Sequence, residues 1–60
     1  MSKKNEIIKV LKKEQRLSTT RISAMIYADH YTTIKYLEEL ETEGIIKKDV
    51  ETIATYWKIK

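Results

Sequence analysis

Cysteine and proline are absent from this 60-residue chain, and glycine and histidine occur once each. Without cysteine there are no disulfide staples, and a lone histidine speaks against a protein-ligated zinc site. The lack of proline and the single glycine signal neither a disordered linker nor a repeat. No apolar run approaches the ~20 residues that span a bilayer, and the first residues lack the apolar stretch of a signal peptide. The expectation is a soluble intracellular protein with no membrane partner. Sixty residues make one domain, 1–60, which buries only about 60% of its unfolded surface. Stability must come from packing, with self-association as a further source.

Charge is present in quantity and unevenly placed. The net is +3, with a pI near 9.2. Residues 1–35 carry eight basic side chains against three acidic ones (Glu6, Glu14, Asp29), a surplus of five. Residues 36–48 carry four acids (Glu38, Glu39, Glu41, Glu43) against two lysines, and the rest balances. A chain polarised this way suits a polyanion on one side and water on the other. High Lys and Glu content for solubility or heat tolerance explains the totals equally well.

Apolar periodicity outlines the elements. Ile7, Val10 and Leu11, widened by Ile8, place a helix over Ser2 to about Glu14 with Lys9, Lys12 and Lys13 outside its stripe. Arg16-Leu17-Ser18 is a loop or a very short strand. Ser18 caps a second helix over about Thr19 to Tyr27, whose apolar positions are Ile22, Met25 and Ile26. Ala24 and Ala28 are small enough for close helix approach. Asp29 caps a third helix running to about Glu43, with Leu37 and Leu40 in the core and Thr33 one turn earlier on that face. Gly44 supplies the left-handed stop. The period then changes. Ile45 to Lys48 is strand-like, Asp49 to Thr52 turn-like, and Ile53 to Ile59 alternates, with Ile53, Thr55, Trp57 and Ile59 on one face. Trp57 is expected to seal the hairpin against helix one.

This order, with these residues, resembles the winged helix-turn-helix domain of small bacterial, archaeal and viral transcription regulators. The likeness covers roughly residues 5–60: Leu17, Ile22, Ile26, Asp29, Leu37, Leu40 and Gly44 share one ungapped register, and Tyr56-Trp57-Lys58-Ile59 looks like the close of the wing. The fold it implies is mostly α with a small antiparallel β-hairpin: three helices plus a wing. The departures are specific. Asp29 stands where the family usually has a capping serine, Tyr27 replaces the common turn glycine, and Arg21 replaces an acid. The wing tip carries Asp49 and Glu51 rather than a basic cluster, which opposes deep minor-groove insertion. Thr33 takes the usual Val or Ile position with Ile34 beside it. Helix three then either rotates to bury Ile34 or presents it to a thymine methyl or a partner.

In the resembled family, positions such as His30, Tyr31, Thr32 and Lys35 enter the major groove. Their chemistry suits it: His and Thr bond base edges or phosphates, Tyr stacks or reaches phosphate, and Lys reaches phosphate or guanine. An ordinary solvated helix start is the plain alternative. Thr19, Thr20 and Arg21 open helix two, where free N–H groups receive a phosphate. Lys47, Lys48 and Lys58 are candidate phosphate contacts on the hairpin, and Tyr36 reads as half-buried structure. The four glutamates of helix three fan around its axis without a histidine or cysteine cluster, so they read as a solvated face pairing Lys35–Glu39 and Glu43–Lys47. With no Gly-rich phosphate loop and no nucleophile–base pair, the chain is expected to be no enzyme, with no cofactor, metal or small-molecule ligand.

The leading expectation is a sequence-specific, double-stranded DNA-binding transcription regulator, a cytoplasmic, nucleoid-associated repressor that occupies a promoter as a homodimer. Helix one or the exposed face of Tyr56 would form the dimer contact. The alternative is a winged-helix protein-interaction module without direct DNA binding. A third reading, left-handed DNA, comes from one winged-helix family with an aromatic wing residue, which Trp57-Lys58-Ile59 superficially resembles. Against it, Ile34 and Glu38 occupy that family's Asn and Tyr positions and the wing prolines are missing.

Overall fold

In the computed structural model, which describes residues 2–60, the chain runs α1 (Lys3–Glu14), β1 (Arg16–Ser18), α2 (Thr19–Met25), α3 (His30–Thr42), β2 (Ile46–Val50) and β3 (Thr55–Ile59). Each helix starts on a side-chain cap. The Ser2 hydroxyl accepts from the Asn5 N–H, the Ser18 hydroxyl from Arg21, and the Asp29 carboxylate from Thr32. These bonds satisfy donors that a helix start otherwise leaves free. Helix α3 stops where expected, with Gly44 at φ +80. Helix α2 stops two residues early: Ile26 is its C-cap and Tyr27 adopts φ +57. A left-handed L-residue costs about 1–2 kcal/mol.

The sheet has three antiparallel strands rather than a hairpin alone. Residues Arg16–Ser18 pair with β3, giving the order β1-β3-β2 with the last strand central. Leu17 and Lys48 both lie opposite Trp57, while Arg16 and Lys47 both lie opposite Lys58. Strand β2 runs on through Asp49 and Val50, so the turn is 51–54, closed by the Glu51 N–H on the Ala54 carbonyl at 2.9 Å. Ile53 therefore belongs to the turn and is 88% exposed; the expectation that it shares the buried face with Trp57 fails. Alternation continued backwards from Trp57 cannot reveal where pairing ends.

One core holds Ile7, Leu11, Leu17, Ile22, Ile26, Leu37, Leu40, Ile46 and Trp57. Thr33 is fully buried with it, its hydroxyl donating to the Asp29 carbonyl at 2.8 Å. That bond lets a polar side chain hold an apolar position, so α3 does not rotate and Ile34 stays half-buried. Ala28 and Tyr36 pack against the core, but Ala24 is exposed and plays no part in helix approach.

Trp57 shares the core with Ile7 and Leu11 of α1, yet its indole N–H is fastened elsewhere, to the Thr19 hydroxyl of α2 at 2.8 Å. The surface ion pairs also differ from the expected local ones. Among the described residues Lys35 and Lys47 make none; Lys4 of α1 instead reaches Glu39 at 3.4 Å and Glu43 at 2.7 Å. Glu43 above all holds the Lys4 ammonium above the ordinary lysine range. Helix α1 thus clamps the acidic half of α3.

Candidate nucleic-acid interface

Helix α3 divides into three faces by its own period. Thr33, Leu37 and Leu40 face the core. Thr32, Glu39 and Glu43 lie on one flank, the two glutamates held by α1. His30 and Ile34 lie on the other flank, and Tyr31 and Lys35, four residues apart, form a ridge opposite the core. Tyr31 is 80% exposed, and His30 and Lys35 are exposed too.

The His30–Ile34 flank borders a cleft of about 280 Å³ whose other walls are Ser18, Thr19 and Thr20 of the β1–α2 junction and Ile53, Ala54 and Thr55 of the hairpin turn. Its mouth mixes hydroxyl and imidazole donors with two isoleucines. Sequence reasoning brings His30 and Thr20 into the site but misses Ile53. Its only signal is a large apolar residue directly after the polar pair Glu51-Thr52.

Asp29 organises the start of this surface. Hydrogen bonding from the Thr32 side chain, then from the Thr32 N–H at 3.0 Å, holds its carboxyl below the ordinary range. A depressed folded-state value means that the carboxylate stabilises the fold above about pH 4, and that this is lost as the pH falls through the folded-state value. Asp29→Ala is expected to melt about 5 °C below the parent at neutral pH. Thermal scans down to pH 2 check this, since the gap should close as the parent's carboxylate protonates; a constant gap would contradict the capping account.

Thr19 is withdrawn as a contact residue. It is 8% exposed, and its hydroxyl both accepts from Trp57 Nε1 and donates to the Thr55 carbonyl at 3.4 Å. A buried indole N–H needs an acceptor, and this threonine supplies it. Thr20 and Arg21 remain exposed beside it. Thr32 is half-buried on the flank facing away from His30, with its side chain turned to Asp29.

The hairpin lysines do not converge on the cleft. Lys47 and Lys58 lie opposite each other near the hairpin base, on the sheet face away from the core, and Lys58 borders Lys12 and Gln15 of α1. Lys48 is on the other face, 5.4 Å from the Trp57 ring centroid. Asp49 of β2 and Glu51 of the turn are paired as well. Arg16 lies 3.9 Å over the Tyr56 ring, bonds Asp49 at 3.0 Å and bonds Glu51 as well. Arg16 therefore covers the Tyr56 face expected to be open for a dimer contact. No group of three or more metal-ligating side chains occurs among the described residues, and no helix among them is long and apolar enough to cross a membrane.

Three helices followed by a hairpin on a three-stranded sheet, with α2 and α3 joined by a short turn, are a winged helix-turn-helix fold. Solved structures share it. The adhesin competence repressor AdcR of Streptococcus pyogenes superposes with a TM-score of 0.88 at 17% identity, over all of this chain and 46% of that one. A mutant of Lactococcus lactis ZitR in complex with DNA gives 0.88 at 21% identity, over 100% and 42% of the two chains. The Zalpha domain of Carassius auratus PKZ in complex with Z-DNA gives 0.88 at 19%, over 97% and 92%. The chain thus spans less than half the length of the AdcR and ZitR chains and nearly all of the Zalpha domain. No family model matches the sequence, and no curated protein matches it.

Proposed function

We propose that the chain is a sequence-specific, double-stranded DNA-binding transcription regulator that inserts α3 into the major groove. The observation that carries this reading is the division of α3 along its length. Its N-terminal half presents His30, Tyr31 and Lys35 outward, while its C-terminal half carries Glu38, Glu39, Glu41 and Glu43, of which Lys4 pairs with Glu39 and Glu43 and offsets one charge, so that half stays acidic. A polyanion therefore meets the N-terminal half. Lys35 and Tyr31 take phosphate or base edges from the ridge, and His30 does so from the rim of the cleft. Thr20 and Arg21 receive the phosphates of the adjoining strand. Lys47, Lys48 and Lys58 add to the long-range attraction rather than to the contacts at the cleft. The complex of a structural neighbour, ZitR, with DNA supports the DNA-binding part of this reading.

One such domain covers too little duplex for selectivity, so the regulator binds as a symmetric homodimer on a palindrome and represses by occupying a promoter in the cytoplasm. Titration of labelled duplexes from about 50 to 200 mM salt tests the core of this, with log K expected to fall linearly at a slope of about −3 to −5 per domain. Absence of binding near the lower limit would overturn it.

Two rivals lose ground. The protein-docking alternative leaned on an acidic wing tip, and Arg16 pairs with both of its acids, offsetting one of their two charges. It keeps the exposed Val50 and Ile53, so protection of that turn by a protein, with no DNA footprint, would favour it. Recognition of left-handed DNA through the wing aromatic needs an accessible ring, and Trp57 is 2% exposed.

A further inference from the structure

Helices α2 and α3 end in the same way. In each, a backbone N–H two residues past the C-cap reaches a carbonyl five residues back: Ala28 to Ser23 at 3.1 Å, and Ile45 to Leu40 at 3.0 Å. The residue between must be left-handed. At α3 it is Gly44, where an added Cβ would meet nothing within 4 Å, so backbone conformation alone selects glycine. At α2 the same position is Tyr27, 90% exposed. A tyrosine there gains no packing and resists the backbone that holds it. Gln15 also has a positive φ, of 71°, but it is the single residue joining α1 to β1, and the chain must reverse there whatever the side chain. No such demand selects tyrosine at position 27.

Other groups at this turn say what an outward phenol would meet. The Lys3 ammonium donates to the carbonyl of Ile26, the preceding residue, at 2.5 Å, and Glu6 lies 4.0 Å from it. The Lys3 side chain remains 39% exposed. Asp29, the nearest acid in sequence, is engaged in capping α3. Tyr27 stands two residues before that cap, a reach of about 7 Å at most, so it lies close to the N-terminal end of α3. A phenol that donates a hydrogen bond, beside a partly exposed ammonium that supplies charge, matches a phosphodiester oxygen. Tyrosine also loses little rotational freedom when it is held, having only two side-chain torsions.

We infer that Tyr27, with Lys3 beside it, contacts the phosphodiester backbone just outside the groove occupied by α3. The inference rests on the DNA-binding reading above and extends its interface beyond α3. Because the contact is to backbone, it adds affinity without choosing sequence.

Two variants separate binding from folding. Tyr27→Phe keeps the ring and the backbone conformation and removes the hydroxyl; Tyr27→Gly removes the side chain and relieves the backbone. Tyr27→Phe is expected to weaken duplex binding about fivefold, the effect of one lost hydrogen bond. Tyr27→Gly is expected to weaken it about tenfold while melting no lower than the parent. Both losses should be equal on a selected duplex and on a scrambled one, and Lys3→Met should flatten the salt slope by about 0.9. Parental affinity in Tyr27→Phe, or a loss confined to one sequence, overturns the inference. If the unaltered protein binds no duplex, both readings fall; if it binds and the Tyr27 variants bind equally well, only this one does.

Discussion

Trp57→Ala is expected to remove from about a third to all of the stability of this fold. At roughly 0.05–0.15 kcal/mol per residue, a chain of this length has about 3–9 kcal/mol of stability in total. Truncating a buried aromatic removes about 3–5 kcal/mol of that. Three connections fail together here. Trp57 fills the core, it stands on the central strand between Leu17 and Lys48, and its N–H holds Thr19 of α2. Far-UV circular dichroism with a urea titration checks this, and a sigmoidal transition near the parental midpoint would contradict it. Trp57→Phe should fall between the two, losing the bond to Thr19 but keeping most of the packing, at a cost of about 1–3 kcal/mol.

The second large effect concerns binding alone. Lys35→Ala and Tyr31→Ala are each expected to weaken duplex affinity about tenfold, one bidentate or charged contact being worth roughly 1–3 kcal/mol. Lys35→Ala should also reduce the salt slope by about 0.9, because one fewer counterion is released. Tyr31→Ala should leave that slope alone. The two residues are neighbours on one ridge, so the double variant is expected to depart from simple addition. Both side chains are exposed, so melting should be nearly unchanged. Affinity indifferent to both substitutions would remove α3 as the reading element.

Local chemistry made much of this structure legible from sequence. Ser18, Asp29 and Gly44 act through neighbours only a few residues away, and the expected caps and stop at those positions are the ones observed. Leu37 and Leu40 are buried because helical period alone assigns them a face. What escaped was set by contacts distant in sequence. Thr19 resembles any polar helix start until Trp57, 38 residues on, is brought against it. Asp49 and Glu51 read as a repulsive tip until Arg16 is placed beside them by a strand too short to be certain from its pattern. Lys4 competes for Glu39 and Glu43 with lysines much closer along the chain, and packing of α1 on α3 decides the outcome. Tyr27 was legible as a departure from a resembled pattern, but only its left-handed backbone and its exposure together give that departure a meaning.

The sheet order has a consequence for cooperativity. Strands β1 and β2 never touch, and each is held through β3. Leu17 and Trp57 are paired across 40 residues, a ring closure whose entropic cost falls on the whole chain between them. Opening β3 would therefore release the wing, the β1 edge and the start of α2 in one event rather than three. If α3 and the β1–α2 junction bind DNA as proposed, ligand occupancy and global unfolding are then linked as one equilibrium, and bound DNA would slow amide exchange at Leu17 as well as at the surface it covers.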